Sequence, residues 1–385
     1  MVVDMKIAIV GCRDGEYLYD QMQKNASSRY EVVCFADNNV KLHNTEIAGK
    51  KVCSMAEMAD RYTRNEIQQV IIAVRKGYSR FCIIEQLKKM GVHNILLLKP
   101  SPLTFRLPIT FDETSQLYNK QWLDLAKSEK PIIHHLEVNV ADGCNLNCRG
   151  CLHFSNLYKA DDFPNLDELI GTIEQISKHC EVFQFRVLGG EPLLNPELED
   201  FLIRLRALLP NSDIAVISNG ILVPRMNNQL YQVMNENYIG FNLTLYAPTL
   251  KIKEQIYKTL DDNGVAYGSH EAKTDQFEKF IMLEPSYDSK AYEVCEPRGI
   301  LVVKGKEIFR CPIEAYIGKF YETYGIVSQW IEGIDAFNYS GNWNNLICDL
   351  YTKPRDLCVY CSEKSEFYEW SNGKPEMEDW LVSGK

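Results

Sequence analysis

The chain has 385 residues, 45% hydrophobic and 24% charged, with 52 acidic residues against 42 basic ones and a net charge of −10. That length calls for more than one core, and the acidic balance argues against a surface that tracks nucleic-acid phosphates. No apolar run reaches a membrane span of roughly 18–20 residues and no charged-then-apolar leader opens the chain, so a cytoplasmic protein with no membrane partner is expected. Residues 6–10 (KIAIV), 31–36 (EVVCFA), 69–74 (QVIIAV) and 94–98 (NILLL) read as strands, and Phe81, Ile84, Leu87 and Met90 recur at helical spacing over 78–90. Such alternation implies a parallel sheet covered on both faces. Lys99-Pro100-Ser101-Pro102 breaks it, and 101–132 reads as a linker with a short helix near 117–127.

A second series follows, with strands at 136–140, 183–188, 213–218, 240–245 and 265–269 and helices at 166–178, 196–209, 223–236 and 250–263. Repeated βα units of this kind form a full or partial barrel, or stay open, with functional groups at the C-terminal strand ends. Beyond about 290 the character changes. Residues 299–310 read as a hairpin turning at Lys304-Gly305-Lys306, and the tail is rich in aromatics and cysteine. The expected fold is α/β in three parts: a Rossmann-like parallel sheet at 1–100, a partial (β/α) barrel at 133–290 after the linker, and a small cysteine-rich α+β domain at 291–385.

Thirteen cysteines are unevenly placed. Cys12, Cys34, Cys53, Cys82 and Cys180 sit in apolar contexts and read as small buried hydrophobes. The stretch VNVADGCNLNCRGC at 138–151 instead ends a strand and places Cys144, Cys148 and Cys151 at i, i+4 and i+7. Thiolates on so tight a loop can converge on one centre. Three ligands suit a [4Fe–4S] cube with one open iron, whereas zinc would want a fourth ligand, for which His153 is the candidate.

The Cys144-x3-Cys148-x2-Cys151 loop resembles the signature of the radical S-adenosylmethionine (SAM) superfamily. The resemblance implies that the fourth iron binds SAM and that reductive cleavage of SAM gives a 5′-deoxyadenosyl radical, which abstracts hydrogen from substrate. Gly189-Gly190-Glu191, after the second strand, resembles the motif that holds the SAM amino group. A plain Gly-Gly turn is the structural alternative. Ser218 and Asn219, ending the next strand, resemble the ribose-contacting segment. Many members carry an aromatic residue where this chain has Gly150, so His153 or Phe154 is expected at the adenine. The resemblance covers roughly 133–290.

Cys295, Cys311, Cys358 and Cys361, with Gly305 between the first two, resemble the auxiliary-cluster domains called SPASM and Twitch. That implies a second [4Fe–4S] cluster on these four, with zinc as the alternative and Cys348 as a spare buried thiol. In the first 100 residues, Gly11, Gly15 and Asp37 stand where a nucleotide-binding turn and its ribose-binding acid would lie. Together with Phe35 to Asn39 and Glu46 to Gly49 they resemble the nucleotide- or nucleotide-sugar-binding domain found beside enzymes of surface-glycan synthesis. A scaffold that binds nothing is the alternative. The combined expectation is a radical SAM enzyme acting on a sugar-containing small molecule, by oxidation, epimerisation or rearrangement, with a flavodoxin- or ferredoxin-type electron donor and no nucleic-acid partner. Modification of a ribosomal peptide and a non-catalytic iron–sulfur or zinc scaffold are the rival readings.

Overall fold

The computed structural model describes residues 5–24, 30–99, 102, 106–271, 277–286, 290–295, 297–327 and 332–383. The chain divides into two compact units, Met1–Lys130 and Pro131–Lys385.

In the first unit, β1 (Met5–Val10), β2 (Tyr30–Ala36), β3 (Glu46–Ile47), β4 (Lys50–Cys53), β5 (Gln69–Ile72), β6 (Ile95–Leu98) and β7 (Trp122–Asp124) form one sheet, ordered β3-β4-β2-β1-β5-β6-β7. β1 runs parallel to β2 and β5, and β5 parallel to β6. Ile7, Ile9, Val70, Ile71 and Leu97 are buried, which is why these strands read as unbroken apolar runs rather than alternating ones. Helices Cys12–Lys24, Met55–Thr63 and Gly77–Lys89 connect the strands.

The segment expected as a linker contributes a strand of this sheet. The helix expected over 117–127 stops at Gln121, and Trp122–Asp124 pairs antiparallel with β6. Trp122 decides the change: it is buried beside Phe111 and Tyr118, and its Nε1 donates to Thr110 O at 2.8 Å. Burying that ring outweighs the few tenths of a kcal/mol per residue of helix propensity. Pro100 and Ser101 of the expected break lie outside the described residues.

In the second unit the strands are β8 (Ile132–Ile133), β9 (Leu136–Ala141), β10 (Glu181–Val182), β11 (Gln184–Gly189), β12 (Asp213–Ser218), β13 (Ile239–Leu245), β14 (Tyr267–Glu271), β15 (Phe277–Ile281), β16 (Leu301–Lys304), β17 (Glu307–Phe309), β18 (Ile334–Asp335) and β19 (Cys361–Tyr368). Eight of them form a sheet ordered β14-β13-β12-β11-β9-β16-β17-β18, parallel from β14 to β16, that does not close on itself among the described residues. Helices Leu166–His179, Leu198–Leu208, Asn228–Glu236 and Lys253–Asp262 make the crossovers. The helix expected over 223–236 starts late because Asn227 caps it, its side chain accepting from Leu230 N at 2.9 Å.

The expected hairpin forms, turning at Gly305 with φ +56°. Its first strand joins the central sheet beside β9, with Leu301 opposite Leu136, so the hairpin extends the barrel sheet. The tail strand β19 pairs antiparallel with β15. No helix among the described residues is long and apolar enough to cross a membrane.

Candidate metal and cofactor sites

β9 delivers the cysteine loop to the C-terminal edge of the parallel sheet, where Asp142 N donates to Asp162 O at 3.0 Å. Cys144, Cys148 and Cys151 line one cavity of about 400 Å³ together with Gly189, Gly190, Ser218 and Asn219. This size falls within the roughly 300–1,000 Å³ of small-molecule sites. The two glycines are required by close approach. A Cβ on Gly189, whose φ is +152°, would overlap Ala141 O, and one on Gly190 would overlap Gly143 O. Without side chains, Gly190 N reaches Ala141 O at 2.8 Å and Glu191 N reaches Gly143 O at 3.1 Å, seating β11 against the cluster loop.

Glu191 is fully buried and ties strands together. Its carboxylate accepts from Ser218 Oγ at 2.8 Å, Asn219 N at 2.9 Å and Leu193 N at 3.2 Å. Burial pushes its carboxyl up to about 7. The Gly189–Gly190 backbone, Ser218 and Asn219 face the cavity, while the Glu191 side chain braces β12 from behind. Asn219 also donates to Asn145 Oδ1 at 2.7 Å and so positions the loop beside Cys144.

Phe154 is placed differently from the expectation. It adopts φ +55°, which turns its fully buried ring into a core with Phe320 and Trp380, away from the cavity. His153 lines the cavity instead, held by Asn139 Oδ1 at 3.2 Å and packed on Tyr316; burial lowers its pKa and keeps it neutral. Tyr246 and Phe277 also line the cavity, and Tyr246 stacks on Trp370. Tyr246 directly follows β13, and its place at a strand end was the available sequence signal.

Burial raises all three thiols of the loop, Cys148 to about 11, and repulsion from neighbouring thiols adds to the rise at Cys144 and Cys148. Thiols held this way become thiolates when a metal centre stabilises them. The surroundings fit such a centre. The buried Trp370 Nε1 finds no acceptor among the described residues and lies beside the Cys148 sulfur, the kind of donor that a cluster thiolate accepts.

The loop is clamped from outside by the C-terminal segment. Arg149 N donates to Ser371 O at 3.0 Å, and Asn147 N to Asn372 Oδ1 at 2.7 Å. Arg149 pairs with Asp379 at 2.7 Å, and Trp380 Nε1 donates to Cys151 O at 2.8 Å. Gly150 sits under this clamp with φ +68°; a Cβ there would overlap Tyr368 Oη. The Gly150 departure therefore has a local cause: the clamp occupies the space a side chain would need.

Cys295, Cys311, Cys358 and Cys361 line a second, small cavity with Arg310 and Glu314, and burial pushes Cys311 up to about 12. Cys348 is exposed on the helix Trp343–Thr352, where a buried thiol was expected. Among the described residues no three His, Cys, Asp or Glu side chains close round a single metal ion; the cysteines line these two cavities.

In the first unit, Gly11 and Asp37 line a cavity of about 250 Å³ where β1 and β2 end. Gly11 has φ +95°, and Asp37 accepts from Cys12 N at 3.1 Å and Asn39 N at 2.9 Å. Gly15 is not at this cavity. It lies in the helix Cys12–Lys24 and lets that helix pack on Ile9 and Phe35.

A parallel βα sheet whose first strand delivers three thiols, and whose second delivers a glycine cradle to the same cavity, defines an iron–sulfur cofactor domain. Residues 138–261 match the family described as the Radical SAM superfamily. The chain thus carries a radical SAM domain, the cofactors of which are a [4Fe–4S] cluster and SAM. Among curated proteins it is similar to a GTP 3′,8-cyclase of Heliobacterium modesticaldum, 32% identical over 103 residues, and to one of Microcystis aeruginosa, 28% identical over 103 residues. These alignments cover 26% of this chain and 30% and 31% of the relatives, so the chain spans under a third of their length. Among solved structures, BtrN in complex with AdoMet and 2-DOIA aligns over 63% of this chain and 98% of its own, at 16% identity and TM-score 0.36. UDP-D-quinovosamine 4-dehydrogenase from Vibrio fischeri aligns over 24% and 77%, at 21% identity and TM-score 0.22.

Proposed function

We propose that this chain is a radical SAM enzyme acting on a sugar or nucleotide-linked sugar, which it oxidises, epimerises or rearranges in glycan or small-molecule biosynthesis. The observation that carries the reading is the convergence of Cys144, Cys148, Cys151 and the Gly189–Gly190 backbone on one cavity. The three cysteines would hold the [4Fe–4S] cluster, and the glycine backbone, Ser218 and Asn219 would receive SAM. When bound, the cluster and SAM supply a one-electron cleavage whose adenosyl radical takes a hydrogen atom from a C–H bond. The protein's part is orientation and exclusion of water. Glu191 fixes the ends of β11 and β12, neutral His153 offers a polar contact without charge, and Tyr246 and Phe277 wall the cavity with aromatic surface, Tyr246 stacked on Trp370. Cys295, Cys311, Cys358 and Cys361 would hold a second [4Fe–4S] cluster, and a flavodoxin- or ferredoxin-type protein would supply electrons.

The sugar assignment draws on the first unit, whose cavity at Gly11 and Asp37 would receive a nucleotide. The curated relatives' name puts a nucleotide, GTP, among substrates of similar domains. A winged-helix leader-binding domain would favour a peptide substrate; the parallel sheet of the first unit argues against that reading. The test is anaerobic reconstitution followed by reduction with SAM. Wild-type protein should bind about eight irons and release 5′-deoxyadenosine, and Cys144→Ala should release none. 5′-Deoxyadenosine formation surviving in that variant would overturn the assignment. Deuterated nucleotide sugars should pass label into 5′-deoxyadenosine, whereas label from GTP alone would move the substrate to the nucleotide itself.

A further inference from the structure

Arg310 is the most enclosed cation near either group of cysteines, only 3% exposed. Its Nη1 lies 3.5 Å from Cys358 Sγ, its Nε donates to Leu350 O at 2.9 Å, and its guanidinium stacks on Tyr292 at 4.2 Å. The Glu314 carboxylate accepts from the Arg310 backbone N at 2.8 Å rather than from its guanidinium. The other oxygen of Glu314 takes Arg355 Nε at 3.0 Å. Arg298 brings a third guanidinium, 4.7 Å from the Tyr292 ring. Among the described residues the Arg310 guanidinium meets no carboxylate and faces the Cys358 sulfur. A buried cation is costly unless an anion faces it. Neutral thiols provide none. Four thiolates on a doubly positive [4Fe–4S] core carry two net negative charges and would supply the anion that the Arg310 guanidinium faces.

We propose that Arg310 is the internal counter-ion of the centre held by Cys295, Cys311, Cys358 and Cys361, and that it raises that centre's reduction potential. This rests on the four-cysteine site being a cluster site. Reduction adds a third negative charge, and a fixed cation donating to a ligand sulfur favours that state. Arg310 is therefore a positioning and tuning residue, and its effect must follow its charge.

The experiment compares wild type, Arg310→Lys and Arg310→Gln, each reconstituted anaerobically, for iron content and for the midpoint of the EPR signal that SAM addition leaves unchanged. Arg310→Gln should shift the oxidised-to-reduced ratio about tenfold, a midpoint about 59 mV more negative for one electron, or lose the second cluster outright. Arg310→Lys should keep the cluster and most of the potential. Lysine and glutamine variants that behave alike, in both iron content and midpoint, would overturn the proposal. A wild type that holds four irons in total would instead overturn the four-cysteine cluster reading, and the counter-ion with it.

Discussion

Glu191 is a carboxyl sealed from water, and its chemistry can be followed by pH. In the unfolded chain it ionises near 4.5, while burial raises it to about 7 in the fold. Between those values the unfolded chain is charged and the folded one protonated, so stability falls as pH rises through the window. The full effect is about 3 kcal/mol. Glu191→Gln removes the titration at the cost of one mismatched donor facing Asn219 N. The thermal midpoint of the cluster-free wild type, taken relative to this variant, should therefore drop between pH 5 and 7.5; a difference constant with pH would refute a protonated buried carboxyl. Gly189→Ala should cost about 3 kcal/mol or more and abolish iron retention, read by melting and iron assay, because its Cβ meets the Ala141 carbonyl in a φ region closed to L-residues. The convergence of Cys144, Cys148, Cys151, Gly189 and Gly190 on one cavity was legible in the sequence because each group's spacing on a single loop or strand end is fixed by covalent geometry. Phe154 and Gly15 were not, because adjacent residues face different ways: His153 looks into the cavity, while the left-handed Phe154 looks into the core.

The elements show the same division. Strands buried on both faces announced themselves as apolar runs, whereas β7 is three residues long and owes its existence to the burial of Trp122. The C-terminal clamp was also hidden, since Arg149 and Asp379 are brought together across 230 residues. Clamp and cluster loop should nonetheless act as one element. Ending the chain at 369 removes Trp370, the Ser371 and Asn372 contacts, Asp379 and Trp380, and should release the iron held by Cys144, Cys148 and Cys151. Because Trp380 also belongs to the core, Trp370→Phe is the milder variant. It keeps an aromatic ring and removes the N–H beside Cys148, and it should speed iron loss to a chelator severalfold while leaving the far-ultraviolet circular dichroism spectrum unchanged. Unaltered release in both variants would show that the clamp is mere packing.

At the scale of the molecule, each unit carries its own sheet, and the first has a core of its own built round Ile7, Phe35, Ile71 and Trp122. Separate cores predict separate folding. Residues 131–385, expressed alone, should fold, bind iron and cleave SAM reductively, since the cysteines and both glycines lie within them. Residues 1–130 should also fold alone and carry whatever affinity the chain has for a nucleotide. In that fragment a nucleotide sugar held at 100 times its Kd would stabilise the fold by about 2.7 kcal/mol, an upward shift readily seen in melting. Asp37→Ala should erase the shift, because Asp37 lines the cavity and also holds the Cys12 and Asn39 amides of its wall. Gly11→Ala should erase it as well, by driving a Cβ towards Ala73 O, 2.6 Å away. A fragment that folds but answers to no nucleotide, nucleotide sugar or dinucleotide would make the first unit a scaffold. Substrate choice would then belong entirely to the cavity between the cysteine loop and Tyr246.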